Sequence, residues 1–189
     1  MIKKKRYVVI PSLVLLFLWW STAITHVYGP YMGKVVDAET GEPIEGAVVF
    51  LLFMTWTGTF AGSTSTPADT AETLTDKNGE FYIPAQRITL WRYGHGWAEN
   101  CLVKIFKPGY GVFPDHKDSG PHHTASYSLP ENKYWPVKLP ELHSPSEKKN
   151  NLGNLYIPGS DEIPSEKRML ILQLKNKERD SLGFDPVSQ

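Results

Sequence analysis

Gly33-Lys-Val-Val-Asp-Ala-Glu-Thr-Gly-Glu-Pro-Ile-Glu-Gly-Ala-Val-Val-Phe50 reads as strand, tight turn, strand. Val35 and Val36 end the first strand, Thr40-Gly41-Glu42-Pro43 carries turn chemistry, and Gly46 opens an apolar run that lasts to Met54. Every residue of 47–54 is apolar and two are β-branched valines, as expected of a strand covered on both faces or lying mid-sheet. The stretch is expected to be the first hairpin of a small all-β sandwich, with 47–54 at the centre of its core.

Working outward, 55–71 is rich in Thr, Ser, Gly and Ala without a usable period, and is expected to be a long loop. Glu72-Thr-Leu-Thr-Asp-Lys-Asn-Gly-Glu-Phe-Tyr-Ile-Pro84 follows as a second hairpin. Its Asp76-Lys-Asn-Gly79 supplies the turn, with Phe81 and Ile83 facing inward. Asp76, Asn78 and Glu80 suggest a calcium loop at first sight, but position twelve is Arg87 where a bidentate Glu is needed. Leu102-Val-Lys-Ile-Phe106 is a further strand. A last one is expected at Tyr134-Trp-Pro-Val-Lys-Leu139, with Trp135, Val137 and Leu139 on one face and Pro136 confining it to an edge.

Composition narrows the function classes. The chain has 189 residues, enough for one ordinary domain with extensions, and its 20 Lys and Arg balance 20 Asp and Glu. No global field favours nucleic acid, which is excluded as an expected partner. Fifteen Gly and 15 Pro suit a domain with many turns. Cys101 is the single cysteine, so the fold is held without an intrachain disulfide.

The N-terminus carries an address. Lys3-Lys-Lys-Arg6 precedes an apolar stretch over 7–24, and no Asp, Glu, Lys or Arg occurs between Arg6 and Lys34. A basic start followed by an apolar run directs a chain to export and keeps the positive end in the cytoplasm. Ser21-Thr-Ala23 offers a small-x-small cleavage site, whereas Trp19-Trp20 fits the aromatic belt of a retained anchor. A retained single-pass anchor is the preferred expectation, with a secreted or periplasmic chain the outcome if the leader is cleaved.

Gly33-x-Val-x-Asp37, Thr40-Gly-x-Pro-Ile-x-Gly-Ala47, Thr75-Asp-x-x-Gly-x-Phe81 and Phe106-Lys-Pro-Gly-Tyr110 together resemble the carboxypeptidase regulatory-like domain of envelope proteins. The resemblance covers 30 to about 113 and implies a transthyretin-like Greek-key sandwich of about seven strands. It implies an accessory module and no peptidase activity. Metallocarboxypeptidases bind zinc with His-x-x-Glu, but His95-Gly-Trp-Ala-Glu99 has one residue too many between its ends. Transthyretin-like hydrolases of the purine pathway end in Tyr-Arg-Gly-Ser, where this chain ends Asp185-Pro-Val-Ser-Gln189. The chain is therefore expected to be non-catalytic and to need no cofactor.

Two residue groups are candidates for binding. His95, His116, His122 and His123, with Asp115 and Asp118, are the nearest approach to a metal set, but their spacing matches no ligand pattern, and no metal ligand is assigned. Trp56, Trp91, Tyr93, Trp97 and Tyr110 are expected in or beside loops, where exposed rings contact glycans or partner proteins; buried rings would instead cap the core. Cys101 reads as a small buried hydrophobe.

The tail divides into a polar, turn-rich linker over 140–164 and a helix over 165–183. Ser165 is the expected N-cap, Gly183 the stop, and Leu170, Ile171, Leu174 and Leu182 a partial apolar stripe. Its charged half, 175–180, is expected to be a solvated face. The expected organisation is thus a leader over 1–28, the sandwich over 29–139, the linker and the helix. The expected role is a structural or protein-binding envelope module, with glycan binding or adhesion as the alternative and a metal-dependent hydrolase further behind.

Overall fold

The structure is a computed structural model that describes residues 11–12, 24–60, 62–91, 94–119 and 128–187. It is mostly β-sheet. The strands are β1 (Thr25–Tyr28), β2 (Tyr31–Asp37), β3 (Val48–Thr59), β4 (Gly62–Leu74), β5 (Glu80–Ile83), β6 (Gln86–Thr89), β7 (His95–Trp97), β8 (Leu102–Phe106) and β9 (Tyr134–Leu139). Two α-helices follow, α1 (Pro145–Asn154) and α2 (Met169–Ser181). The nine strands among the described residues exceed the number of about seven that the resemblance implied.

One sheet has the order β5-β2-β9, and another has β4-β3-β7 with β8 also on β3. The β1–β6 pair prolongs β2–β5, since Tyr28 faces Gln86 and Tyr31 faces Ile83 in one continuing antiparallel register. As the proline required, β9 is an edge strand, lying parallel to β2 with Pro136 beside Lys34.

The opening stretch is a hairpin only briefly. Val36 and Pro43 form an antiparallel bridge, with Asp37 N–H donating to the Glu42 carbonyl at 2.8 Å and Ile44 N–H to the Val35 carbonyl at 3.0 Å, before the segment crosses over to β3 in the other sheet. The reason is local. The Asp37 carboxylate accepts the N–H groups of Glu39 and Thr40 at 2.8 and 2.9 Å, and Pro43 lies beside Val36. After that single bridge the chain leaves β2 for the other sheet, so the pairing extends no further. The second expected hairpin is likewise a crossover from β4 to β5. Asp76 accepts the N–H groups of Asn78 and Glu80, each at 2.8 Å, and Gly79 has φ +73° with its Cα against the Val35 carbonyl. A Cβ there would strike that oxygen, so the turn needs glycine for space as well as for φ.

Side chains from both sheets meet in one core, with Tyr28, Tyr31 and Val35 on one side and Val49, Leu51 and Phe53 on the other. Phe81 and Ile83 point into it, as their alternation required. The intervening residues of β3, Val48, Phe50 and Leu52, face the opposite way into a second cluster with Leu152, Leu155, Ile163 and Ile171 of the C-terminal region. β3 is thus buried on both faces over residues 48–54, which is why that run carries no polar residue.

The segment 140–164 is more structured than a linker. Ser144 caps α1 in a reciprocal capping box with Glu147, and Pro145 opens the first turn. Asn151 of α1 is buried; its Oδ1 accepts from Val112 N at 2.8 Å and its Nδ2 donates to the Tyr110 carbonyl at 3.0 Å. The expected helix over 165–183 is present as α2, but Ser165 makes no cap and opens a short 3₁₀ turn, Ser165–Arg168. The cap comes from another element: the Glu72 carboxylate of β4 accepts Leu170 N at 2.7 Å and Ile171 N at 3.2 Å. Its charged half is not wholly solvated, since Glu178 is buried and accepts from Gly109 N at 3.3 Å.

Among the described residues no helix is long and apolar enough to cross a membrane. Most of the leader lies outside the described residues, and β1 begins at Thr25, inside the span read as leader.

Candidate functional site

The expected loop over 55–71 is instead a long antiparallel arm. β3 continues past the core to Thr59 and returns as β4 from Gly62, with Trp56 opposite Ser65 and Thr59 opposite Gly62. Sequence reasoning missed β4 because 62–65 is exposed and 66–73 only half-buried, with Ala68 and Ala71 against the core, so no strong alternation is imposed. The weak signal available was the β-branched threonines. The register shifts between Phe53 and Met54, which places Pro67 beside a bulge, where a strand tolerates a missing N–H.

Beyond the bulge the surroundings change. β7 pairs with residues 55–57 of β3, and Trp97 stands opposite Thr55, Gly96 opposite Trp56. Trp56 lies over Gly96, where any Cβ would run into the indole, so the strand face there is shaped for that ring. Trp56 is still 47% exposed, Trp91 78% exposed, and Phe60 at the arm tip fully so. Below them, His26 stacks on Trp97 at 5.5 Å and Tyr28 on Phe53 at 4.7 Å, so the aromatic end is continuous with the core.

The five aromatic candidates therefore separate. Trp56 and Trp97 sit on paired strands rather than loops, and Trp97 packs against the core. Trp91 lies in the connection after β6 and is well exposed, while Tyr93 lies outside the described residues. Tyr110 is at the far end of the molecule, bridged to Glu141, with its phenol raised above its usual pKa by burial and by the Asp37 carboxylate it hydrogen-bonds. Trp56 and Trp91 thus remain as surface aromatics, and Phe60 joins them. Phe60 was passed over because an isolated Phe among small residues carries no spacing signal.

The histidines do not build a metal centre among the described residues, which contain no group of three or more His, Cys, Asp or Glu placed to hold one. His95 packs edge-on to Trp97, His116 accepts from Asp118 N at 3.2 Å, and His122 and His123 lie outside the described residues. Cys101 is buried and its thiol is pushed up to about 11 by burial, so it stays protonated and unreactive at neutral pH. A cleft of about 440 Å³ at the base of the arm is lined by Met54, Ser65, Cys101 and Leu102, and another of about 420 Å³ separates α2 from Leu155 and Tyr156.

The fold defines a β-rich protein with two sheets sharing a core and helices packed outside one of them. No family profile and no curated protein matches the chain. The carboxypeptidase regulatory-like resemblance accordingly rests on the motifs quoted above. Among solved structures, the shaft pilin SpaA from Lactobacillus rhamnosus GG aligns with a TM-score of 0.31 and 17% identity, over 61% of this chain and 47% of the pilin. An alternative pilotin from the type II secretion system of Vibrio cholerae aligns with a TM-score of 0.28 and 15% identity, over 63% of this chain and all of the pilotin. This chain spans about half the length of the pilin. Likenesses this distant carry no argument about function.

Proposed function

We propose that this chain is an exported β-sandwich module, tethered outside the cytoplasmic membrane by its leader, which acts by contact rather than by turnover. Its sandwich is of the transthyretin-like kind, an assignment supported by the motifs at 33–47, 75–81 and 106–110. The observation that carries the reading is the arm of β3 and β4, which has no Asp, Glu, Lys or Arg from Met54 to Ala68 and projects beyond the shared core with Trp56 and Phe60 exposed, while Trp91 is exposed in the connection after β6. Exposed aromatic rings on a projecting arm suit a contact surface.

The test is photo-crosslinking from position 60 in intact cells, followed by alkaline extraction of membranes and N-terminal sequencing. The expected result is a chain that resists extraction with its leader intact and gives a discrete crosslinked product. A freely soluble chain, or a product unchanged when the arm is shortened to a two-residue turn, contradicts the reading. The second reading, glycan binding through Trp56 and Trp91, is favoured by their exposure alone. It predicts glycan-array binding lost in Trp91→Ala.

A further inference from the structure

We propose that the aromatic end lies in the headgroup layer of the lipid bilayer, so that the arm is a membrane-surface contact and the opposite end faces outward. The inference rests on the tethered reading above and names the partner of that same surface.

The first ground is where the leader enters the fold. The apolar, uncharged stretch 7–24 ends at Ile24, whose carbonyl accepts Leu90 N at 2.9 Å, and β1 begins at the next residue. Only the four residues 21–24 separate the Trp19-Trp20 pair from the first strand. A domain attached this way stays close to the membrane surface, because a tether of four residues cannot hold it far away. Leu90 precedes the exposed Trp91, so the entry point and an exposed indole share one place.

The second ground is that the arm projects from the same end. Tyr28 of β1 stacks on Phe53, and His26, nearer the leader, stacks on Trp97, which pairs with Thr55. Moving along β1 toward the leader therefore moves along β3 toward its tip. Thr57 and Phe60 lie further still in that direction.

The third ground is chemical. From Met54 to Ala68 the sequence has no Asp, Glu, Lys or Arg; it is Thr, Ser and Gly around Trp56 and Phe60. Indoles and hydroxyls suit the boundary between headgroups and acyl chains, and charge would resist the dehydration that contact requires. The other end of β3 is the reverse, with Glu39, Glu42, Glu45, Asp76 and Lys77 exposed in the two crossover turns. A protein partner or a glycan would not require the surface to coincide with the leader's point of entry.

The experiment uses the full chain in phosphatidylcholine and phosphatidylglycerol vesicles, with Phe60→Cys and Lys77→Cys each carrying an environment-sensitive fluorophore. Cys101 is buried, and the parent chain serves as the labelling control. The expected result is blue-shifted emission at position 60, quenched several-fold more by headgroup-proximal spin-labelled lipid than emission at position 77. Equal quenching at both positions, or none at either, in a chain that resists alkaline extraction overturns the membrane contact and leaves the tether standing. A chain extracted by alkali overturns both. Crosslinking of position 60 to a second copy or another protein, without lipid quenching, assigns the surface to that protein and also overturns the proposal.

Discussion

The two halves of β3 are one strand with one backbone geometry and opposite fates. Residues 48–54 are buried on both faces, the inner by the second sheet and the outer by α1, α2 and the segment between them. Residues 56–59 leave both layers behind and meet only β4 and, for a short way, β7. Stability is concentrated in the first half and freedom to make contacts in the second. Strand length alone says nothing about which; the covering layers decide it.

The largest test of this contrast is a pair of substitutions. Phe53→Ala removes a ring wedged between Tyr28 and Tyr31 and is expected to cost about 3–5 kcal/mol in urea unfolding, whereas Phe60→Ser should stay within about 0.5 kcal/mol. Comparable costs at both positions would break the comparison. Asn151→Ala comes next: it strips two hydrogen bonds from a buried side chain that pins the 110–112 segment to α1, and about 1–3 kcal/mol should be lost. Glu72→Ala removes the cap that β4 lends to α2. A loss of about 1 kcal/mol, with fraying of the first turn of α2 seen in hydrogen exchange, is expected.

The smallest effect is confined to acid and to the charged end. The N–H groups of Thr40 and Glu39 and the phenol of Tyr110 hold the Asp37 carboxyl below its usual range, the Thr40 bond being the largest cause. A depressed folded pKa contributes stability that is complete above the ordinary aspartate value, about 3.9, and is lost as pH falls through the folded value. Asp37→Asn should therefore flatten the acid limb of the stability profile. An unchanged acid limb would remove Asp37 from the account of the crossover.

Much of the covered half was legible in sequence. An unbroken apolar run announced a strand buried on both sides, Phe81 and Ile83 alternated correctly, and β8 and β9 fell where their residues placed them. Turn chemistry at Thr40–Pro43 and Asp76–Gly79 marks a reversal, but the same residues serve a hairpin and a crossover, and only long-range pairing distinguishes them. The arm was unreadable because exposed strands have no periodicity to enforce. The helix over 145–154 could have been found from Ser144 and Glu147, whose spacing is that of a capping box. Of the candidate site, Trp56 and Trp91 were named from sequence, and Phe60 was not.

The most direct measurement is hydrogen exchange along β3 in the full chain. Amides of residues 48–53 are predicted to exchange only through global unfolding, and those of the 57–64 arm orders of magnitude faster through local opening. Uniform protection from Val48 to Thr59 would contradict the division of β3 on which the account depends.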